Sequence, residues 1–154
     1  MYSFRHAHPL DIPWLDQACI AGAHESLSPE EHGQAEPESV AQLARQQMQG
    51  VMSDPGGVVI VATAWNQPVG FLAAALSPDS TTEEINGVLL TLWVAPHHRR
   101  RGVGRALLAL GEAQFLRRGV RKMKVIAGVH NPVAVRMAER AGYHPEGLIG
   151  LKTL

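Results

Sequence analysis

Hydrophobic residues follow two different periods along this chain, and the switches between them mark out its elements. Ile12, Leu15, Ala18 and Cys19 stand three and four apart, which predicts a helix from Leu10 to Ala23 with Cys19 on its buried stripe. Val40, Leu43, Ala44 and Met48 repeat that spacing and predict a second helix from Glu38 to Gln49. Between the two, His24 to Glu38 is polar, carries Pro29, Gly33 and Pro37, and reads as a loop. Ser53-Asp54-Pro55-Gly56-Gly57 then breaks the chain. The β-branched run Val58–Ala64, the turn Asn66-Gln67-Pro68 and the return from Val69 to Leu76 read as a hairpin.

Ser77 to Thr82 reads as a loop, and the long, proline-free apolar run from Glu83 to Val94 as a central strand. Val103 to Arg118 is a helix with Ala106, Leu107, Leu110 and Ala113 on one face. Gly119 ends it, with Arg117 and Arg118 in the last turn where cations suit the helix dipole. Lys122 to Val129 is another strand. Asn131 as N-cap, Pro132 at the first helical position and Gly142 just past the end frame a helix over Pro132–Ala141. A first strand is expected at Ser3–Ala7, and two short ones near Tyr143–Pro145 and Leu148–Thr153. With no internal repeat or linker, residues 1–154 read as a single α/β domain.

Composition narrows the class. Apolar residues make up 45% and charged residues 18%, enough to bury a core and unlike a disordered chain. Lys plus Arg and Asp plus Glu both total 14, so the basic excess of a general nucleic-acid binder is missing. A lone cysteine, Cys19, allows no intramolecular disulfide and no cysteine zinc site. Of the eight histidines, His6 with His8 and His97 with His98 are close pairs, but His24-Glu25 meets Ser28 where H-E-x-x-H needs its second histidine. No metal is expected. The N-terminus lacks a cationic region followed by an apolar one, and no apolar run reaches the roughly 20 residues of a membrane helix. The expectation is a soluble, cytoplasmic protein with no membrane partner.

The chemistry concentrates in Leu92-Trp93-Val94-Ala95-Pro96-His97-His98-Arg99-Arg100-Arg101-Gly102-Val103-Gly104-Arg105, where a strand runs through a basic, glycine-rich loop into an apolar helix. The first N–H groups of a helix have no internal partner and sit at its positive end, so they bind anions. Gly102 and Gly104 let an anion approach the backbone, and Arg99, Arg100, Arg101 and Arg105 add charge. The P-loop motif is absent, and the dinucleotide motif would need glycine where Leu107 stands. A solvated basic loop touching nucleic acid is the competing reading, and the neutral chain argues against it.

Arg99-x-x-Gly102-x-Gly104, preceded by Leu-Trp-Val-x-Pro and followed by Ala-Leu-Leu, resembles the coenzyme A signature [QR]-x-x-G-x-[GA] of the GNAT superfamily of N-acetyltransferases. Asn131, Ala134, Gly142 and Tyr143 match that family's N-x-x-A-x-x-x-Y-x-x-x-G-[FY], and Pro68-Val69-Gly70-Phe71 looks like the end of its hairpin. The resemblance implies a mixed, mostly antiparallel sheet of about six to seven strands with about four helices. That sheet would splay between the strands ending at Val94 and Val129. It also implies transfer of an acetyl group from acetyl-CoA to an amine. The backbone of 99–105, including Val103, would hold the pyrophosphate. Main-chain groups of Leu92, Trp93 and Val94 would pair with the pantetheine arm. The Val94 N–H would serve as oxyanion donor, and Asn131 would face the cofactor near its sulfur.

One departure stands out: the tyrosine of the second motif, the family's thiolate-protonating group, is Ala138 here, with Met137 beside it. Tyr143 is the next phenol along the chain. The general base is open among Glu84, which opens the central strand after Glu83 and by alternation shares a face with Val88 and Val94, and His24 and Glu25 at the end of the first helix. Two solvated acids at a strand start is the competing reading of Glu83 and Glu84. The missing tyrosine also supports a second hypothesis, a coenzyme A-binding regulatory module with little turnover. The loop at 24–38 names no acceptor class, and a homodimer is left open.

Overall fold

The unbroken apolar run Val58–Ala64 is buried at every residue, which requires cover on both faces of the sheet. The structure, a computed structural model describing residues 1–154, provides that cover with helices on each side. In chain order the elements are β1 (Tyr2–His6), α1 (Ile12–Ser26), α2 (Pro29–His32), α3 (Pro37–Ser53), β2 (Val58–Ala64), β3 (Gln67–Pro78), β4 (Ile85–Val94), α4 (Val103–Arg117), β5 (Met123–Val125) and α5 (Pro132–Arg140). The sheet order is β1-β2-β3-β4-β5, antiparallel throughout except for the parallel pair β4–β5. Alternation along β2 divides the core. Val58, Ile60, Ala62 and Ala64 pack with Leu107, Leu108 and Phe115 of α4. Val59 and Val61 pack with Leu15 and Cys19 of α1 and Met48 of α3.

The sheet has five strands, fewer than the six to seven expected, and there are five α-helices rather than about four. Residues 142–154 form no strand, and Leu148, Ile149 and Leu151 are exposed. Gly147 and Gly150 interrupt that tail, and glycine weakens a strand. β5 also stops at Val125 instead of Val129 and offers only a three-residue edge to pair with. The additional helix, α2, falls inside the expected loop. Ser28 accepts from the Glu31 amide, Glu31 accepts in return from the Ser28 amide, and Pro29 opens the turn. Two helices also turn differently from the stripes predicted. Leu43 and Leu110 are exposed, while Ala41 and Val51 of α3 and Leu108 and Phe115 of α4 are buried.

The irregularity that matters for function lies in β4. Ala73 faces Thr91 and Ala74 faces Leu89, so Leu90 is an extra residue, a β-bulge. β5 pairs only with Gly87, Val88 and Leu89, immediately before the bulge. From Leu90 onward the outer edge of β4 has no strand beside it. The bulge also reverses which side chains face α4. Before it, Gly87 and Leu89 do: a Cβ on Gly87 would lie 2.8 Å from Phe115, and Leu89 packs on the α4 cluster. After it, Leu92 and Val94 do. Simple alternation from Val88 to Val94 therefore fails, and with it the expectation that Glu84 shares a face with Val94.

An ion pair between a buried carboxylate and a half-exposed arginine joins β1 to the start of α1. Asp11, whose side chain is 8% exposed, accepts from Arg5 Nη1 at 2.6 Å and Nη2 at 2.8 Å, and from the His8 amide at 2.7 Å. The Arg5 guanidinium, against the opposing effect of burial, holds this carboxyl below the usual carboxylate range. A depressed folded pKa means the contribution is present above the ordinary value of about 3.9 and is lost as pH falls through the folded value. Asp11→Asn is expected to cost about 1–2 kcal/mol at pH 7 in urea unfolding. The gap to the parent protein should close as the pH drops below about 4; a gap that stays constant down to pH ~2 would contradict the assignment.

Candidate active site

Backbone hydrogen bonding decides which peptide groups the open edge of β4 presents. The Ala95 amide donates to the Val69 carbonyl at 2.8 Å, and Trp93 lies opposite Phe71, so these peptides face β3. By alternation Leu92 and Val94 turn their N–H and C=O groups away from β3, toward the gap left by β5. Leu92 and Val94 are thus on the open edge. Trp93 is not: its backbone belongs to the β3 ladder and only its side chain is available. The bulge at Leu90 that ends the β5 pairing is visible only in the strand pairing.

The loop after β4 makes the second half of the site. Pro96–His98 forms a 3-10 turn, and Arg100 (φ 64°) and Gly102 (φ 82°) take left-handed backbone before α4 begins. The amides of residues 100–105 donate to no acceptor in the protein; helical bonding resumes at Ala106, which donates to the Gly102 carbonyl at 3.0 Å. A run of free N–H groups at the positive end of a fifteen-residue helix is an anion cradle. Gly102 is required by its φ, since a Cβ there would meet open space. A Cβ on Gly104 would lie 3.4 Å from Met137 Sδ and 3.8 Å from Val94 Cγ2, which puts Gly104 where α5, β4 and the loop converge. Val103 contributes its amide, while its side chain is buried under the helix. Arg100, Arg101 and Arg105 are exposed and none of them forms an ion pair.

Arg99 behaves differently from its neighbours. Its Nε donates to the Val94 carbonyl at 2.7 Å, and Nη2 lies 2.9 Å from both Glu25 carboxylate oxygens. The guanidinium sits 6.0 Å from the centre of the Trp93 ring, and the Trp93 indole N–H donates to Glu25 at 3.2 Å. The end of α1 is thereby tied to the end of β4. His24 is half-buried beside this cluster in sequence. His130 ties the end of α1 also to the loop before α5: its Nε2 is 3.0 Å from the Ser26 carbonyl.

Glu84 is not brought to this site. It precedes β4, and the ten-residue strand separates it from the loop by roughly 30 Å at about 3.3 Å per residue. Its carboxylate pairs with Lys122 Nζ at 2.8 Å. Glu83 adopts φ 60° in the preceding turn. Asn131 caps α5, its Oδ1 accepting from the Ala134 amide at 3.2 Å, so that oxygen is committed to the helix. The Tyr143 hydroxyl donates to Glu112 on α4 at 3.0 Å; burial first, and then the Glu112 charge, push its pKa well above the ordinary tyrosine value. Cys19 is buried, its Sγ is 3.5 Å from the Ala44 carbonyl, and burial pushes its pKa up, so it is a core residue. No group of three His, Cys, Asp or Glu residues is placed to hold a metal. No helix is long and apolar enough to cross a membrane.

Known proteins share this architecture. An aminoglycoside 6'-N-acetyltransferase from Acinetobacter haemolyticus superposes with a TM-score of 0.72 at 17% identity, covering 99% of this chain and 98% of that one. A predicted acetyltransferase from Clostridium acetobutylicum, solved with acetyl-CoA, superposes with a TM-score of 0.75 at 16% identity, over 99% and 96% of the two chains. At these identities the likeness is one of fold. A mycothiol acetyltransferase from Cellulomonas flavigena is 33% identical over 96 residues, which take in 51% of this chain and 28% of that protein. The match thus spans under a third of that relative's length. The model of the acetyltransferase (GNAT) family matches residues 20–143. The chain belongs to that family.

Proposed function

We propose that the protein transfers the acetyl group of acetyl-CoA directly to a primary amine, carried by a small molecule or by a protein N-terminus or lysine. The observation that carries this reading is the continuity of two unsatisfied backbone surfaces. The free amides of residues 100–105 follow directly on the unpaired β4 edge at Leu92 and Val94. The first suits a pyrophosphate and the second an extended arm bearing amides, and acetyl-CoA has both in that order, ending in an activated acyl group.

In this reading the cradle amides, with Arg100, Arg101 and Arg105, bind the pyrophosphate. Leu92 and Val94 pair with the pantetheine arm as a neighbouring strand would. The N–H of Val94 points into the gap and serves as the oxyanion donor in this reading. The reaction forms one N–C bond and breaks one C–S bond; the ammonium loses one proton to solvent before attack and the nitrogen a second afterwards, and that second proton balances the one the departing thiolate takes up from solvent. A thiol with a pKa near 8.5 leaves as thiolate without needing an enzyme acid, which fits alanine at position 138. The neighbouring aminoglycoside enzyme makes aminoglycosides a first choice among acceptors, alongside polyamines and peptide N-termini.

Gly104→Glu would place a side chain and a negative charge in the cradle. It is expected to weaken coenzyme A at least tenfold by calorimetry, about 1.4 kcal/mol, with the fold intact; unchanged affinity would remove the cradle from the account. Thiol release from acetyl-CoA on a panel of kanamycin, spermidine and a free-amine peptide tests turnover. Tight coenzyme A binding with no thiol release from any of a broad amine set would favour the regulatory module instead. Because Tyr143 is committed to Glu112, Tyr143→Phe should keep kcat within about twofold and leave the alkaline limb of the pH–rate profile unchanged. A tenfold loss with a changed alkaline limb would make that phenol the proton donor.

A further inference from the structure

The ion pair between Arg99 and Glu25 is the one place where a charge of the cofactor loop is already spent inside the protein. Three features make it unusual. Both side chains are about half-exposed, 40% for Arg99 and 48% for Glu25, and pairs this exposed contribute little to stability. Arg99 immediately precedes the free amides of residues 100–105, so rotation about its own side-chain bonds can carry the guanidinium toward an anion held there. Glu25 would not be left bare, since the Trp93 indole N–H still donates to it at 3.2 Å. A phosphate binds a guanidinium through two charged hydrogen bonds and competes well against such a pair.

What Arg99 would leave behind is chemically specific. Glu25 supplies a carboxylate with one neutral donor, and beside it lies the face of the Trp93 ring, now covered by the guanidinium at 6.0 Å. Trp93 is itself fixed against Trp14, with ring centres 6.2 Å apart. A carboxylate next to an immobilised aromatic face suits an organic cation. We infer that Arg99 is the resident occupant of a cation site made by Glu25 and Trp93. It leaves that site for the coenzyme A pyrophosphate, and Glu25 with Trp93 then holds a cationic group of the acceptor amine. This rests on the cofactor-binding role given above to the 99–105 loop. It makes cofactor binding precede acceptor binding, and it makes the acceptor a cation.

The Trp93 indole N–H resonance in a ¹⁵N–¹H spectrum reports directly on the site, and Trp93→Phe assigns it. Coenzyme A should shift this resonance in the parent protein. Benzylammonium, as a plain cationic probe, should then shift it only in the cofactor-loaded form. Glu25→Gln frees Arg99 and should tighten coenzyme A about threefold or more by calorimetry, while abolishing the response to benzylammonium. Arg99→Gln vacates the site, so benzylammonium should shift the resonance without cofactor, and coenzyme A should bind more weakly. Weaker coenzyme A binding in a folded Glu25→Gln protein would show a structural clamp and overturn the inference. So would a benzylammonium response that is absent, or equal with and without coenzyme A, in the parent protein. Failure of the parent protein to bind coenzyme A at all would instead bring down the cofactor reading on which the inference depends.

Discussion

One additional residue in β4 governs the rest of the site. Leu90 has no partner of its own on β3, so the strand bends there and β5, which follows it through Leu89, does not continue alongside. Unsatisfied backbone groups at a strand edge are an invitation to pair, and here the vacancy is about one extended arm long. It runs from the bulge to the point where the chain enters the α4 loop. The sheet is otherwise covered by α4 on one face and by α1 and α3 on the other. The rigid core can therefore hold the gap open without itself needing the ligand.

Two kinds of positive charge meet at the end of this gap and do different work. The cradle itself is backbone, a set of amides oriented by the left-handed residues Arg100 and Gly102 and by the start of α4. Arg100, Arg101 and Arg105 surround it without partners. Arg99 faces the opposite way, toward Glu25 and the Val94 carbonyl. Arg99–Arg101 with Arg105 are thus one arginine paired with Glu25 and three free charges.

The sequence made the loop legible because that function depends on local features: glycines where φ must be positive, a helix start, and the proline that ends the strand. The hairpin, α4 and the capped α5 were legible for the same reason. Glu84 misled because its placement used a period of two across a strand that contains a bulge, and no residue type marks Leu90 as the extra one. The contact of Trp93 and Arg99 with Glu25 joins residues more than 65 positions apart, which no local pattern reveals. The closing strands were expected from apolar residues in the tail. Strand formation needs an edge to pair with, and β5 is too short to supply a long one.

The most direct test of the account is residue-by-residue amide hydrogen exchange with and without coenzyme A. Exchange should slow on binding at Leu92 and Val94 and through residues 100–105, whose amides are otherwise free. Thr91 and Trp93, already paired to β3, should change little. Protection confined to other parts of the sheet, or equal changes at all four positions from Thr91 to Val94, would contradict the claim that the bulge creates the binding edge.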